Sequence, residues 1–456
     1  MLSIKQLFKQ SEQYKRAKNI SKERHKNKLL KENENQEEWY KLDNAGLIFP
    51  AIQQSSWNTV FRVSAYLYEK VNAEVLERAV NDVIKRFPAF NVTLKRGFFW
   101  YYFQQINKHI SVFEENASPC RAIPLTKSAP LFRVIYYNKK ISLECFHSLT
   151  DGKSALVFLN TILSRYFVIL GHNINLNNLP ISYLDSPQPE EWEDAFVKHS
   201  DLKEKASRTE NAGYQPKGEV NKNKQLNVIS LIMNSSDIKN IAKTKYSCSI
   251  HEFLCAVVIK ALQDQQLEQK VKITKPVRIS VPADFRKFFP SKTLRNFTNA
   301  INFGTKKGDN ELSLKQCIEY SKQGMSLFTK ENIMKINNTN VADQKNIFIR
   351  LVPLFIKNWI MNLVYFQSSE KGFACPLSNL GVVNDSGEFN GLVDKYDFVV
   401  GPLKFNKFAT TVITYNNKLN LTFSLKVAST EIVKKVADIL VEQGLEIYIE
   451  SNINHK

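Results

Sequence analysis

Between Ile141 and Leu170 the spacing of apolar residues changes from two to between three and four without a break in the chain. In ISLECFH, Ile141, Leu143, Cys145 and His147 fall on one face of a strand. After Gly152, residues Leu156, Leu159, Leu163, Tyr166, Phe167 and Leu170 recur at helical spacing. The turn between the two is His147-Ser148-Leu149-Thr150-Asp151-Gly152. It places an imidazole at the C-terminal end of a strand and a carboxylate at or beside a helix N-terminus, an edge where ligand sites in α/β folds gather.

The flanking sequence extends this alternation. VFRVSAYLYEKV (Val60–Val71) reads as a strand, and AEVLERAVNDVIKRF as a helix burying Val75, Leu76, Ala79, Val80, Val83 and Ile84. NVTLKRGFFWYYF reads as two strands about an Arg-Gly turn, and LFRVIYYNKKISLECFH as a hairpin about Asn138-Lys139-Lys140. The order is that of an α/β fold with a mixed sheet. From Leu184 to Gln225 apolar residues thin out in favour of Pro, Gly and charge, as in a linker. The chain of 456 residues therefore divides into a charged N-terminal tail (1–36), a first lobe (37–183), the linker (184–225) and a second lobe (226–456). In the second lobe LNVISLIM and VKITKPVRISVPADF are strand-like, and SIHEFLCAVVIKALQ is helical. KFATTVITYNNKLNLTFSLKV is a strand pair turning at Asn416-Asn417, followed by a helix over STEIVKKVADILVEQGLEIYIE.

Several function classes fall away. The net charge of +19 raises nucleic acid, anionic membrane or a phosphorylated ligand. A nucleic-acid reading rests on that charge alone: the basic residues are scattered outside the N-terminus, with no zinc-finger spacing and no basic region before heptads. The six cysteines form no CxxC pair, and the seven histidines no HExxH or HxxxH pair, so neither a disulfide framework nor a metal site is expected. The N-terminus has no apolar core of signal-peptide length, and a cytoplasmic protein is the default. The most apolar run, Ile347–Phe366, is interrupted by Arg350, Pro353 and Lys357. It reads as a buried or partly exposed helical hairpin rather than a span, with membrane contact left open.

On the junction residues alone, two readings stand. Asp151 is an ordinary N-cap, Gly152 relaxes the turn and His147 is a core histidine; or His147 works in the acid–base range of imidazole. The HxxxDG form of His147–Gly152 resembles the active-site motif of the chloramphenicol acetyltransferase-like superfamily. That superfamily includes plant BAHD acyltransferases, alcohol acetyltransferases and peptide-synthetase condensation domains. ISVPADFRKFFPSKTLRNF (Ile279–Phe297) resembles its strand ending in a Pro…Asp…Arg segment followed by Asn-Phe. CPLSNLGVV (Cys375–Val383) resembles the strand facing the catalytic histidine in alcohol acetyltransferase-like members. The opening WYKLDNAGLIFPAI and the RFPAFNVTLKRGFFWYYF stretch also look like bacterial members of that branch. Two departures are visible. Phe146 replaces the first of the paired histidines usual in condensation domains, and DFVVGP (Asp397–Pro402) is no close substitute for the plant DFGWG motif.

The resemblance implies two similar α/β lobes, each a mixed sheet with flanking helices, and an active-site tunnel between them. It implies acyl transfer, with acetyl favoured, from a CoA thioester to a hydroxyl acceptor. His147 would be the general base, and no covalent intermediate would form. Asp151 would pair bidentately with Arg286 to hold the loop at Gly152 rather than complete a triad. Ser378, with Asn379 as second choice, would donate to the oxyanion, and Asn296 would shape the pocket. Acyl-CoA would be a co-substrate rather than a resident cofactor. No residue is assigned to bind it; Lys306-Lys307-Gly308 is a candidate that a solvated loop explains as well. The variants are a carrier-protein thioester as donor, an amine as acceptor, and a non-catalytic binding module of the same fold.

Overall fold

The computed structural model describes residues 38–53, 58–126, 128–207, 211–221, 225–269, 275–368, 370–383 and 386–453. The expected N-terminal tail lies outside them. The first part of the chain forms β1 (Trp39–Lys41), α1 (Phe49–Ile52), β2 (Val60–Leu67), α2 (Ala73–Val83), β3 (Val92–Arg96), β4 (Tyr101–Gln105), β5 (Val112–Glu114), β6 (Phe132–Tyr137), β7 (Lys140–Phe146) and α3 (Gly152–Ile169). After the short α4 (Ala195–Lys198) come β8 (Asn227–Asn234), α5 (Ser235–Tyr246), α6 (Ile250–Glu268), β9 (Arg278–Asp284) and β10 (Thr298–Gly304). The helices α7 (Leu314–Met325), α8 (Lys330–Lys345), α9 (Ile347–Leu351) and α10 (Leu354–Ser368) follow. The chain ends with β11 (Cys375–Val382), β12 (Val393–Val400), β13 (Phe408–Tyr415), β14 (Lys418–Leu425), α11 (Glu431–Glu442) and β15 (Tyr448–Ser451).

The described strands form three sheets. One has five strands in the order β12-β2-β7-β6-β5, one has seven in the order β10-β9-β11-β13-β14-β8-β15, and β1-β4-β3 form a small third. The five-stranded sheet carries α2 and α3 on one face, where Val63, Leu143, Cys145, Phe158 and Leu159 are buried together. The seven-stranded sheet packs on α6, whose residues Phe253–Ile259 are all buried. A helix apolar on every side has to lie inside the protein.

β12 belongs to the second lobe by sequence, yet it pairs antiparallel with β2, from Val393 opposite Leu67 to Val400 opposite Phe61. The expected division, with 226–456 as one unit, does not contain this exchange. A second set of contacts holds it. Ser424 Oγ donates to the Val400 carbonyl (2.7 Å), and Thr422 Oγ1 donates to Asp397 Oδ1 (2.6 Å). The polar positions of β14 thus face β12 instead of water, and their buried hydroxyls are satisfied there.

The described part of the linker 184–225 is held against the body of the protein at Glu191. Arg86 grips Glu191 through its two terminal nitrogens, Nη1 and Nη2 (2.7 and 2.6 Å), and Leu294 N donates to the Glu191 carbonyl (2.6 Å). The final helix is shorter than its apolar pattern suggests. It stops before Gly444, whose φ of +91° suits glycine, and Tyr448–Ser451 instead pairs with β8 as an edge strand.

Candidate active site

The turn after β7 is tied down on every side. His147 N donates to the Thr59 carbonyl (2.8 Å) and Leu149 N to the Phe146 carbonyl (2.9 Å). Ser148 Oγ donates to the Gly46 carbonyl (3.0 Å), and Thr150 Oγ1 to the Leu294 carbonyl (2.7 Å). Asp151 caps α3, its Oδ1 accepting from Ser154 N at 3.0 Å. Backbone from both halves of the chain therefore sets the direction of His147.

The His147 ring is half-buried. Phe49 stacks on it, with centroids 4.6 Å apart at 20°, and Phe61 meets it edge-on at 5.1 Å. Nδ1 lies 3.0 Å from Asn296 Oδ1. The Asn296 amide nitrogen donates to the His147 carbonyl (2.9 Å) and to Asp43 Oδ2 (3.2 Å). Two acceptors on that side fix the amide orientation, so Oδ1 must face the ring. An acceptor facing Nδ1 places the proton on Nδ1 and the lone pair on Nε2. Among the described residues no side chain hydrogen-bonds Nε2. Burial pulls the imidazole below its ordinary pKa, against the opposing influence of its backbone hydrogen bonds, the Asp151 charge and Asn296. Burial thus favours the neutral ring, and no described side chain competes for its Nε2.

Asp43 is fully buried and its carboxyl is pushed up to about 7, first by burial and then by the charge of Asp194; Arg295 and the hydrogen bonds from Gly46 and Asn296 oppose the rise. Gly46 N donates to Asp43 Oδ1 at 2.7 Å, closing the turn that leads into α1 and Phe49. Asp43, Phe49 and Thr59 were not singled out from sequence. DNAG reads locally as a turn, and nothing in the spacing couples Asp43 to Asn296.

Arg286 Nη1 donates to Asp151 Oδ2 at 2.8 Å. The contact is monodentate, not the bidentate pair implied by the resemblance, because Oδ1 is occupied by the helix N-terminus. Phe297 N and Thr298 Oγ1 also donate to Oδ2, both at 3.1 Å. The remaining Arg286 donors go to the carbonyls of Thr293 and Arg295, to Ser154 Oγ and to Asp284 Oδ1. Burial alone would raise the Asp151 pKa; the Arg286 charge and these hydrogen bonds hold it below the usual carboxylate range. Asp151 makes no hydrogen bond to the imidazole among the described residues. Its geometry braces the turn.

Gly152 has a steric reason. A Cβ there would lie 3.0 Å from Leu380 Cδ2 and 3.3 Å from Phe398 Cζ. Leu380 belongs to β11, which carries Ser378 and Asn379. β11 thereby approaches the HxxxDG turn, although neither Ser378 nor Asn379 hydrogen-bonds His147 among the described residues. Asn379 Oδ1 is engaged locally, accepting from Gly381 N at 2.7 Å. Ser378 is half-buried in the strand. Lys306-Lys307-Gly308 is an exposed turn, with Gly308 at φ +89° and Lys306 N donating to Asp309 Oδ2.

A cavity of about 1100 Å³ is walled by Trp39, Tyr40, Trp100, Tyr101 and Trp192, with Lys41, Asp194, Lys198, Lys345 and Arg350 around it. Leu42 and Arg295 also line it, and each directly precedes a residue of the Asp43–Asn296–His147 chain. A second cavity of about 880 Å³ lies against the opposite, polar face of the five-stranded sheet, bordered by Arg62, Ser64 and Asp397. The six cysteines are buried and free, and among the described residues no group of three or more His, Cys, Asp or Glu side chains could hold a metal ion.

No family model matches the sequence, and no curated protein matches it significantly. Solved structures do match. The F. graminearum TRI101 complexed with coenzyme A and deoxynivalenol aligns with TM-score 0.57 at 11% identity, over 91% of this chain and 99% of its own. Polyketide synthase associated protein 5 from Mycobacterium tuberculosis aligns with TM-score 0.57 at 12% identity, over 88% and 97%. The TRI3 trichothecene 15-O-acetyltransferase from Fusarium sporotrichioides gives 0.55 at 10% identity, over 89% and 94%. The likeness is one of fold, and it spans nearly the whole length of each: this chain has the two-lobed chloramphenicol acetyltransferase-like α/β fold.

Proposed function

We propose that the chain transfers an acyl group, acetyl in the first instance, from acyl-CoA to a hydroxyl acceptor, with His147 as general base. The observation that carries this reading is the state of the ring. Burial favours its neutral form, Asn296 holds it in the Nδ1–H form, and among the described residues no side chain engages Nε2. In the reaction, Nε2 takes the proton of the acceptor hydroxyl as its oxygen bonds to the thioester carbonyl carbon. The tetrahedral oxyanion accepts a hydrogen bond from Ser378 on β11, with the amide nitrogen of Asn379, whose Oδ1 alone is engaged by Gly381 N, as second choice. Collapse breaks the C–S bond, and the thiolate recovers the proton from Nε2. The products are an ester and free CoA, and no enzyme-bound acyl group is needed. Asp151 and Arg286 hold the turn, and Gly152 lets β11 come close.

The comparisons support the donor class. One neighbour is complexed with coenzyme A and deoxynivalenol, and another is a starter condensation domain mutant in complex with C8-CoA, aligned with TM-score 0.54 at 13% identity. Acyl-CoA is accordingly a co-substrate. The condensation-type neighbours keep a carrier-protein thioester and an amine acceptor as variants of the same chemistry.

The test is free-thiol release from acetyl-CoA and longer acyl-CoAs in the presence of a panel of alcohols and amines. Acceptor-dependent release is expected, and His147→Ala should lower it by about 10²–10⁴ while the protein stays folded. Release should rise with pH through a limb below the ordinary imidazole value of about 6.5 and then level off. No acceptor-dependent release from any donor would leave a binding module of this fold. Near-normal release by His147→Ala would move the base elsewhere.

A further inference from the structure

The hairpin α9–α10 has its faces inverted. In water the apolar side of a surface helix normally packs inward. Here the inner face of α10 presents Leu354, Lys357, Asn358, Met361 and Asn362, while the outer face presents Phe355, Ile356, Trp359, Ile360 and Leu363 to solvent. Phe348 of α9 is 79% exposed, Trp359 68% and Phe355 61%. The β3–β4 turn adds Phe98, 70% exposed, to the same surface; its carbonyl accepts from Leu354 N at 2.8 Å.

Hydrogen bonds fix this orientation. Lys357 Nζ donates to the carbonyls of Phe99 (3.0 Å) and Arg350 (3.1 Å) and sits 3.4 Å from the Trp100 ring centroid. Asn358 Nδ2 donates to Tyr101 Oη (2.8 Å), and Asn362 Nδ2 to the Ala51 carbonyl (2.5 Å). Rolling the helix to bury its apolar face would break all of these bonds. The protein therefore holds a broad apolar surface outward by means of its polar groups, an arrangement that marks an interaction site.

The two segments that build the patch, from Asn346 to Ser368 and from Asn91 to Asn107, carry no acidic residue. Arg96, Lys345 and Arg350 stand exposed at its margin, on a chain of net charge +19. Among the described residues no helix is long and apolar enough to cross a membrane. Exposed Trp, Phe and Ile flanked by Arg96, Lys345 and Arg350 match an element that lies in the headgroup region. We propose that the α9–α10 face, with the Phe98–Phe99 turn, docks the protein on the surface of an anionic phospholipid bilayer. Arg350, Trp100 and Tyr101 belong both to this edge and to the aromatic cavity, so docking sets the cavity against the lipid. Through Asn362 and Ala51 the same helix grips α1, which carries the Phe49 ring stacked on His147. The inference does not depend on the acyl-transfer reading.

The test is co-sedimentation of the full chain with phosphatidylcholine vesicles, with and without phosphatidylglycerol, in the absence of any acyl donor. The wild type should bind the mixed vesicles, and bind them less as salt rises. The pair Phe355→Ser/Trp359→Ser should weaken binding at least about tenfold, since withdrawing each ring from water is worth about that much. Its unfolding midpoint should not fall, because both side chains already face solvent. Wild type left in the supernatant, equal binding to phosphatidylcholine alone, or a folded double variant that binds like wild type would each overturn the proposal. A wild-type dimer that the double variant dissolves, with no vesicle binding, would assign the face to a second copy of the chain.

Discussion

Replacing Asn296 by alanine isolates the device that orients the base. The substitution removes the acceptor 3.0 Å from His147 Nδ1 and the donor shared by the His147 carbonyl and Asp43 Oδ2. A net hydrogen bond of this kind is worth about 0.5–1.5 kcal/mol, and two buried acceptors left without their donor cost about 1–3 kcal/mol. The first figure bears on the tautomer. With Nδ1 no longer held, part of the population carries its proton on Nε2 and cannot act as base, so kcat should fall about 3–10-fold. KM should stay near the wild-type value, because Asn296 is argued to act through the ring. The second figure bears on the fold and should appear as lost stability in thermal or urea unfolding. The pH profile adds a sign. Asn296 favours the protonated ring, so its loss should move the rising limb of kcat to lower pH, further from the ordinary imidazole value. Steady-state kinetics from pH 5 to 9 would read kcat, KM and the position of the limb. A folded Asn296→Ala protein with unchanged kcat, or one whose limb moves upward, would refute the tautomer argument.

Other perturbations test the frame around the base. Asp151→Asn should destabilise the protein by about 1–3 kcal/mol, since the buried Arg286 loses one of its two counter-charges and keeps Asp284; urea unfolding at pH 7 would measure it. The Asp151 contribution should be fully present above the unfolded carboxylate value of about 4 and be lost as pH falls through the lower folded value, whereas Asp151→Asn should show a flatter stability curve below pH 4. Gly152→Ala should cost about 1–3 kcal/mol through its approach to Leu380 and Phe398, and Leu380→Ala should relieve part of that cost in a double-mutant cycle. Ser378→Ala should lower kcat by about 10²–10³ with little change in KM, and Asn379→Ala should lower it less; equal effects would remove Ser378 from the oxyanion.

The local chemistry of the HxxxDG turn was legible from residues alone, because it is written in one continuous stretch. Period two gives way to helical period, and the aspartate stands where a helix needs an N-cap. The hairpin at Asn138 and the turn at Asn416-Asn417 were legible for the same reason: these residues tolerate positive φ, and the chain reverses where they stand. What joined distant segments was not legible. Asp43 and Asn296 meet only when the two halves close around His147, and no spacing rule spans such a distance along the chain. The polar face of β14 reads as a solvent face, yet Asn420, Thr422 and Ser424 are buried because β12 crosses to the other sheet and covers them. The polar segment 184–225 reads as a linker, yet Glu191 is buried by Arg86 and Leu294. The run Ile347–Phe366 reads as a helical hairpin that is either buried or partly exposed, and only the partners of Lys357, Asn358 and Asn362 decide which face turns outward. Periodicity and capping are properties of neighbours in sequence, so the sequence by itself determined the elements and the turn that bears the histidine. Hydrogen bonds and ion pairs between remote segments have no period, so only the tertiary structure decided the tautomer, the strand exchange and the exposed face.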